Sequence, residues 1–299
     1  MTVILEALDG ANPLGFLAAL GVLAVLDDRG VAVRLSWQEA GAWRPVLHGV
    51  DSVDAVLDHL EADLESWREE PVLDLSYRKG KATERDLKPP PEEFARFAES
   101  MRALGGRSAA LVAAFATDVA VDGNGATKPT ALHFTAGQQR FLSMVRDLRD
   151  GVGRAHLDEA VVGPWTYTST LPVMAWDATT DRRYALRATD PSKDKKAGVP
   201  GADWLAFIGL QLAPSVPRGS RILTTGATGS WKHGQWTWLL WRHPLGRMAV
   251  ASLLQQGVSL AAKAPSELAA WGVATVLQSR ILRSDQGGRG SFCPPGVLR

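Results

Sequence analysis

Apolar and polar positions fall into clear patterns over the first hundred residues. Val3 to Leu8 reads as a short strand. Asn12 is a suitable N-cap, and Pro13 takes the first helical position, where its missing N–H goes unused. The apolar run LGFLAALGVLAVL then predicts a buried core helix that stops near Gly30, a natural C-cap. Gly15 and Gly21 lower helix propensity inside it and point to close packing against another element. Val31 to Trp37 alternates as a strand does, and Trp43 to His48 is expected to pair with it as a hairpin. Val53 to Trp67 sets Val53, Val56, Leu57, Leu60 and Leu64 on one face and acids on the other, the pattern of an amphipathic helix. Val72 to Tyr77 reads as a further short strand.

Residues 78–91, RKGKATERDLKPPP, mix charge with three consecutive prolines and form the clearest predicted loop. Glu92 to Leu104 and Ser108 to Ala116 predict helices, followed by the loop DGNGATKP. Thr135 and Gln138 make a candidate capping box for a helix from Ala136 to about Arg149, with Phe141, Leu142, Val145 and Leu148 inward. From Pro164 to Trp241 the character turns toward β, and Trp236 and Trp238 alternate with Thr237 and Leu239. Helices are expected at Pro244–Gln256 and Ser266–Gln278, and a Gly/Pro-rich loop at the tail. This order predicts an α+β fold of mixed helices and short antiparallel sheets, with a Trp-rich β region in the C-terminal half. A single domain over 1–299 is expected; a boundary near 155–163 would divide it into 1–160 and 161–299.

Composition narrows the class. The 299 residues are 45% hydrophobic and 22% charged, which excludes a disordered or fibrous chain. One cysteine, Cys293, excludes an internal disulfide framework and a cysteine-rich zinc site, and fits a reducing cytoplasm. The uncharged stretch Pro13 to Leu26 falls short of the roughly twenty residues of a spanning helix, and MTVILEALDG lacks the basic start of a signal peptide, so a cytoplasmic location is expected. Charge is uneven beneath a net +1. Residues 1–75 hold four Lys/Arg against fourteen Asp/Glu, and residues 180–299 hold sixteen against six. Either the chain has an acidic face and a basic face suited to phosphate, or the two ends pair with each other.

Catalytic signatures fail one by one. There is no G-x-S-x-G elbow and no H-E-x-x-H, and GNGATKPT lacks the order of a phosphate loop. TTGATGSWKHG reads as a hairpin turn. No histidine stands at metal-ligand spacing from another His or Cys. Asp118 and Asp122, placed on one face of a helix end, are the pair left for a metal-dependent nuclease, an alternative that needs further carboxylates. An enzyme is not expected, nor a cofactor. Two segments instead suit nucleic acid. RRYALRATDPSKDKKAGVPG supplies Arg182, Arg183, Arg187, Lys193, Lys195 and Lys196, and QSRILRSDQGGRGSF supplies Arg280, Arg283 and Arg289 beside glycines. Tyr184 and Phe292 within them are candidates to stack on bases. The loop holding Arg78, Lys79, Lys81, Arg85 and Lys88 is either a solvated linker or a basic loop on a nucleic-acid backbone. Trp204, Trp236, Trp238 and Trp241 sit in apolar runs and are expected in the core.

The opening NPLGFLAALGVLAVL with LSWQEAGAWRPVL resembles the start of several CRISPR-associated proteins of type I-G (formerly I-U) systems. PGADWLAFIGLQLAP, RILTTGATGSWKHGQWTWLLWRHPL and the ending SRILRSDQGGRGSFCPPG resemble the matching regions; residues 78–160 lie outside the likeness. The chain is short for the large subunit of such an effector, so a large-subunit-like or accessory protein is the nearer fit. The resemblance implies a non-catalytic component of an RNA-guided antiviral complex, in which base pairing reads sequence and protein subunits hold backbones. The implied partners are other effector subunits, the helicase-nuclease, and guide RNA or target DNA. The implied contacts are Arg280, Arg283 and Arg289, with Arg187 before PGADWLAF. A purely structural protein–protein subunit is the alternative.

Overall fold

In the computed structural model, which describes residues 1–179, 197–283 and 289–299, Asn12 acts as the predicted cap. Its Oδ1 accepts the Leu14 N–H at 3.1 Å, and Pro13 begins helix α1 (Pro13–Asp28). Every residue of α1 from Pro13 to Leu26 is buried, and Gly30 turns the chain away with φ +77°. A three-stranded antiparallel sheet flanks this helix in the order β1 (Thr2–Ile4), β3 (Ala42–His48), β2 (Arg34–Ala40). Helix α2 (Val53–Ser66) follows, capped by Ser52 on the Ala55 N–H at 3.1 Å, and buries Val56, Leu57, Leu60 and Leu64 as its pattern requires.

The strand expected at Val72–Tyr77 is a 3-10 turn over Pro71–Asp74, because proline at its first position presets a helical φ. The predicted loop 78–91 contains a small hairpin, β4 (Tyr77–Lys79) and β5 (Ala82–Glu84), turned by Gly80 at φ +63°. Helices α3 (Pro91–Leu104) and α4 (Gly106–Phe115) lead into the hairpin β6 (Ala116–Val121) and β7 (Thr127–Pro129). The capping box at Thr135 does not form: the Thr135 hydroxyl lies 2.9 Å from His133 Nε2, and helix α5 (Phe141–Gly151) starts later. Helices α6 (Arg154–Val161) and α7 (Pro200–Gly209) precede the hairpin β8 (Ser215–Arg218) and β9 (Arg221–Thr224).

The largest sheet is antiparallel: β10 (Ala227–Gly229), β11 (Gly234–Trp241), β12 (Val273–Arg283) and β13 (Gly290–Phe292), with β14 (Gly296–Val297) also paired to β12. Helices α8 (Arg247–Gln255), α9 (Gly257–Leu260) and α10 (Pro265–Ala270) connect its two long strands. The helix expected over Ser266–Gln278 therefore ends at Ala270. Gly272, at φ +72°, breaks it, and β12 buries alternate residues Val273, Thr275, Leu277, Ser279 and Ile281.

Two contacts fix the core. Helices α1 and α7 meet backbone to backbone: a Cβ on Gly21 would stand 1.9 Å from the Leu205 carbonyl oxygen, and one on Gly209 would stand 2.1 Å from that of Leu17. The close packing read from Gly21 is thus with α7. Phe16 of α1 then meets the rings of Trp37, Trp236, Trp238 and Trp241, at centroid distances from 5.6 to 6.5 Å. The Nε1–H groups of Trp236, Trp238 and Trp241 donate to the carbonyls of Thr225, Gly10 and Leu35 at 2.7–3.0 Å, so these buried rings keep no polar debt. Trp204 is buried against Trp67 and Phe207. The α+β class and the Trp-rich C-terminal region stand as the pattern foretold. No described helix is long and apolar enough to cross a membrane.

Candidate nucleic-acid interface

The site is assembled from the loop after β5, the stretch before α5, the β10–β11 turn and the end of β12. Asp86 anchors it. Its Oδ1 accepts the Phe141 N–H at 3.1 Å and faces His133 Nε2 at 2.8 Å. Burial works to raise Asp86, but His133 and the N–H groups of Phe141 and Leu87 outweigh it and hold the carboxyl at about 2. His133 is fully buried, and burial lowers its pKa against the pull of Asp86. At neutral pH the pair is a carboxylate receiving N–H from a neutral ring. Loop 85–88 is thereby fastened to residues 130–134. Thr224 Oγ1 fastens the same stretch by accepting the Ala131 N–H at 2.8 Å, and Trp176 Nε1 donates to the Leu132 carbonyl at 2.9 Å.

This fastened stretch presents two carbonyls to Arg283. Nη1 donates to His133 O at 2.8 Å and Nη2 to Ala131 O at 2.7 Å. Burial lowers the guanidinium to about 9, so it stays charged at neutral pH, and the two carbonyls orient it. Its Cζ lies 3.5 Å from the ring centroid of Trp231 and 5.3 Å from that of Phe134. Lys88 Nζ lies 6.0 Å from the Trp231 centroid. Trp231 occupies the tip of the β10–β11 hairpin, the turn read from TTGATGSWKHG, and is 42% exposed. Lys232 and His233 follow it, both exposed.

The sequence-predicted residues divide. Arg283 is half-buried and acts as an anchor for Trp231. Arg289 is half-buried just before β13, whose Gly290 pairs with Arg283. Only glycine fits at 290, since a Cβ there would stand 2.2 Å from the Phe134 ring. Arg280 is exposed but lies an odd number of positions from Arg283 on β12, so it points to the opposite face of the strand and does not join them. Arg182, Arg183, Tyr184, Arg187, Lys193, Lys195 and Lys196 lie outside the described residues. Phe292 is not a base-stacking ring: it is buried against Phe134 and Trp236, at 4.9 and 5.5 Å between centroids. Arg78, Lys79, Lys81 and Arg85 are exposed along the loop that delivers Lys88.

Asp118 and Asp122 do not share a helix. Asp118 lies on β6, and Asp122 follows it in a turn where its Oδ1 accepts the N–H groups of Asn124 and Ala126 at 2.8 and 3.1 Å. Among the described residues no three His, Cys, Asp or Glu side chains gather to hold a metal. The two chain ends do pair in part, through Arg242 with Glu39 at 3.9 Å and Arg247 with Asp27 at 3.4 Å and with Asp28. Sequence reasoning missed Trp231. Its signal was a tryptophan inside a Gly-rich turn, outside any apolar run and directly before Lys232 and His233. The assembled surface brings basic side chains beside one partly exposed aromatic ring, a set suited to phosphates and π systems. No protein-family model and no curated protein matches the chain.

Proposed function

We propose that the protein is a non-catalytic, cytoplasmic subunit of a type I-G CRISPR antiviral complex that holds guide RNA or target DNA. The contact surface is the one around Lys88, Trp231, Lys232, Arg283 and Arg289. The observation that carries this reading is convergence: a basic loop, a hairpin turn and a C-terminal arginine segment, distant in sequence, share one site built on Arg283. The likeness of both ends and the later middle of the chain to type I-G components supports its place beside other effector subunits and the helicase-nuclease. The basic segment 182–196 belongs to the same proposal.

The test is binding of a fluorescent oligonucleotide to the purified full chain across a salt series. Three cations that each neutralise one phosphate of a single strand give a slope of log K against log salt of about −2, or roughly 20-fold weaker binding at 200 than at 50 mM. Lys88→Glu with Lys232→Glu should weaken binding and flatten that slope. Absence of salt-dependent binding overturns the reading. A second reading, a subunit that docks only on proteins, is favoured by exposed Val119 and Val121 on β6 and by the cross-strand pair Val216 and Leu223 on β8 and β9. A complex that survives nuclease treatment, with no nucleic-acid affinity of the chain itself, would select it.

A further inference from the structure

We infer that Trp231 is a base-stacking platform: its exposed ring, braced by the Arg283 guanidinium, receives a nucleobase of single-stranded DNA or RNA while Lys88 and Lys232 meet the adjoining phosphates. The inference rests on the nucleic-acid reading above and narrows it to single strands.

Three features point this way. First, Trp231 is 42% exposed, whereas Trp67, Trp176, Trp204, Trp238 and Trp241 are fully buried, so it is not held by the core. Second, the ring is fixed in place. A guanidinium 3.5 Å from its centroid is itself held by two carbonyls, and those carbonyls belong to a stretch pinned by Asp86 and Thr224. An aromatic surface ordered in advance loses little entropy when a flat partner lands on it. Third, basic side chains stand beside the ring: the Arg283 guanidinium at 3.5 Å and the Lys88 ammonium at 6.0 Å from its centroid, with Lys232 the next residue in the chain. A stacked base carries a phosphate on each side, and cations beside the ring neutralise them. In a duplex the base faces are already stacked on one another, so the same ring finds no open face there.

The experiment measures affinity of the full chain and of Trp231→Leu and Trp231→Phe for oligo(dT), oligo(rU), a DNA duplex and inorganic polyphosphate at one salt concentration. Trp231→Leu keeps apolar bulk and removes the π face. It should weaken both single strands about 5- to 150-fold, the range of one base–aromatic stack, and leave polyphosphate and duplex within twofold. Trp231→Phe should retain most of the single-strand affinity. Oligo(dT) should quench tryptophan emission of the wild type, and Trp231→Phe should lose that quench, a readout that stands even if the leucine variant folds poorly. The inference is overturned if Trp231→Leu binds single strands like the wild type. It is overturned equally if polyphosphate and duplex lose as much as the single strands, because the ring then only shapes a charged surface. In both cases salt-dependent binding by the wild type leaves the broader nucleic-acid reading in place. A wild type that binds none of the four overturns both.

Discussion

Arg283→Ala removes a guanidinium whose Nη1 and Nη2 reach two carbonyls at 2.8 and 2.7 Å and whose Cζ sits 3.5 Å from the Trp231 centroid. A hydrogen bond to a charged group contributes about 1.5–3 kcal/mol, and a cation–π contact at a partly exposed site about 0.5–1 kcal/mol. The site is half-buried, so water reaches the freed carbonyls and the low ends of these ranges apply. The expected loss is about 3.5 kcal/mol, a large share of the roughly 5–15 kcal/mol that holds a folded chain together. Arg280→Ala, on the exposed face of the same strand, should change stability by less than about 0.5 kcal/mol. Lysine at 283 should fall between, since an ammonium cannot fork to both carbonyls and stack as well. Urea unfolding followed by tryptophan emission gives the midpoints and slopes. The same pair separates the two arginines in binding: Arg283→Ala loses single-strand affinity because Trp231 loses its brace, and Arg280→Ala keeps it. Equal midpoints for the two alanine variants would refute the assignment of Arg283 as an anchor.

Other consequences follow from the same geometry. Gly21→Ala or Gly209→Ala must push α1 and α7 apart and should destabilise by more than about 3 kcal/mol or prevent folding, as circular dichroism melting would show. Gly30→Ala, where nothing lies within 4 Å of the added carbon but φ is +77°, should cost only about 1 kcal/mol. Wild-type stability should fall between pH 7 and pH 5. Unfolded histidine gains a proton near 6.5 that His133, its pKa lowered by burial, does not gain, so the unfolded state binds more protons and stability rises with pH. The slope from this one group is at most about 1.4 kcal/mol per pH unit, and urea titrations of wild type against His133→Gln, which keeps an N–H for Asp86, should show it as the difference. Asp86 contributes the next loss only at lower pH, between its ordinary range near 4 and about 2.

Much of the fold was legible because local chemistry and long-range packing agree there. Asn12-Pro13 caps α1, the apolar run of α1 has no polar face, and Gly21 points to the close neighbour that α7 supplies. The β2–β3 hairpin and the amphipathic α2 follow their periods. The misreadings come from groups whose local options compete. Thr135 offered a cap, but its hydroxyl meets the buried His133 instead. Ser266–Gln278 suits a helix at its start, but Gly272 and the alternating VATVLQSRI favour a strand that buries every second residue. Once β12 is a strand, parity alone separates Arg280 from Arg283. The site itself was half legible. Loop 78–91 and the C-terminal arginines stood out as cationic, but nothing local states that Lys88 meets Trp231 or that Arg283 reaches residues 131–133. Those contacts depend on the Asp86–His133 pair closing distant segments on each other.

Photocrosslinking asks whether Trp231 touches a bound base. An oligonucleotide carrying 5-iodouracil, irradiated on the full chain and digested with trypsin, should mark the peptide of residues 222–232, which holds Trp231. A crosslink on that peptide, lost in Trp231→Leu and suppressed by high salt, is the predicted result. Crosslinks confined to other peptides, with 222–232 unmodified at saturating oligonucleotide, would contradict the account.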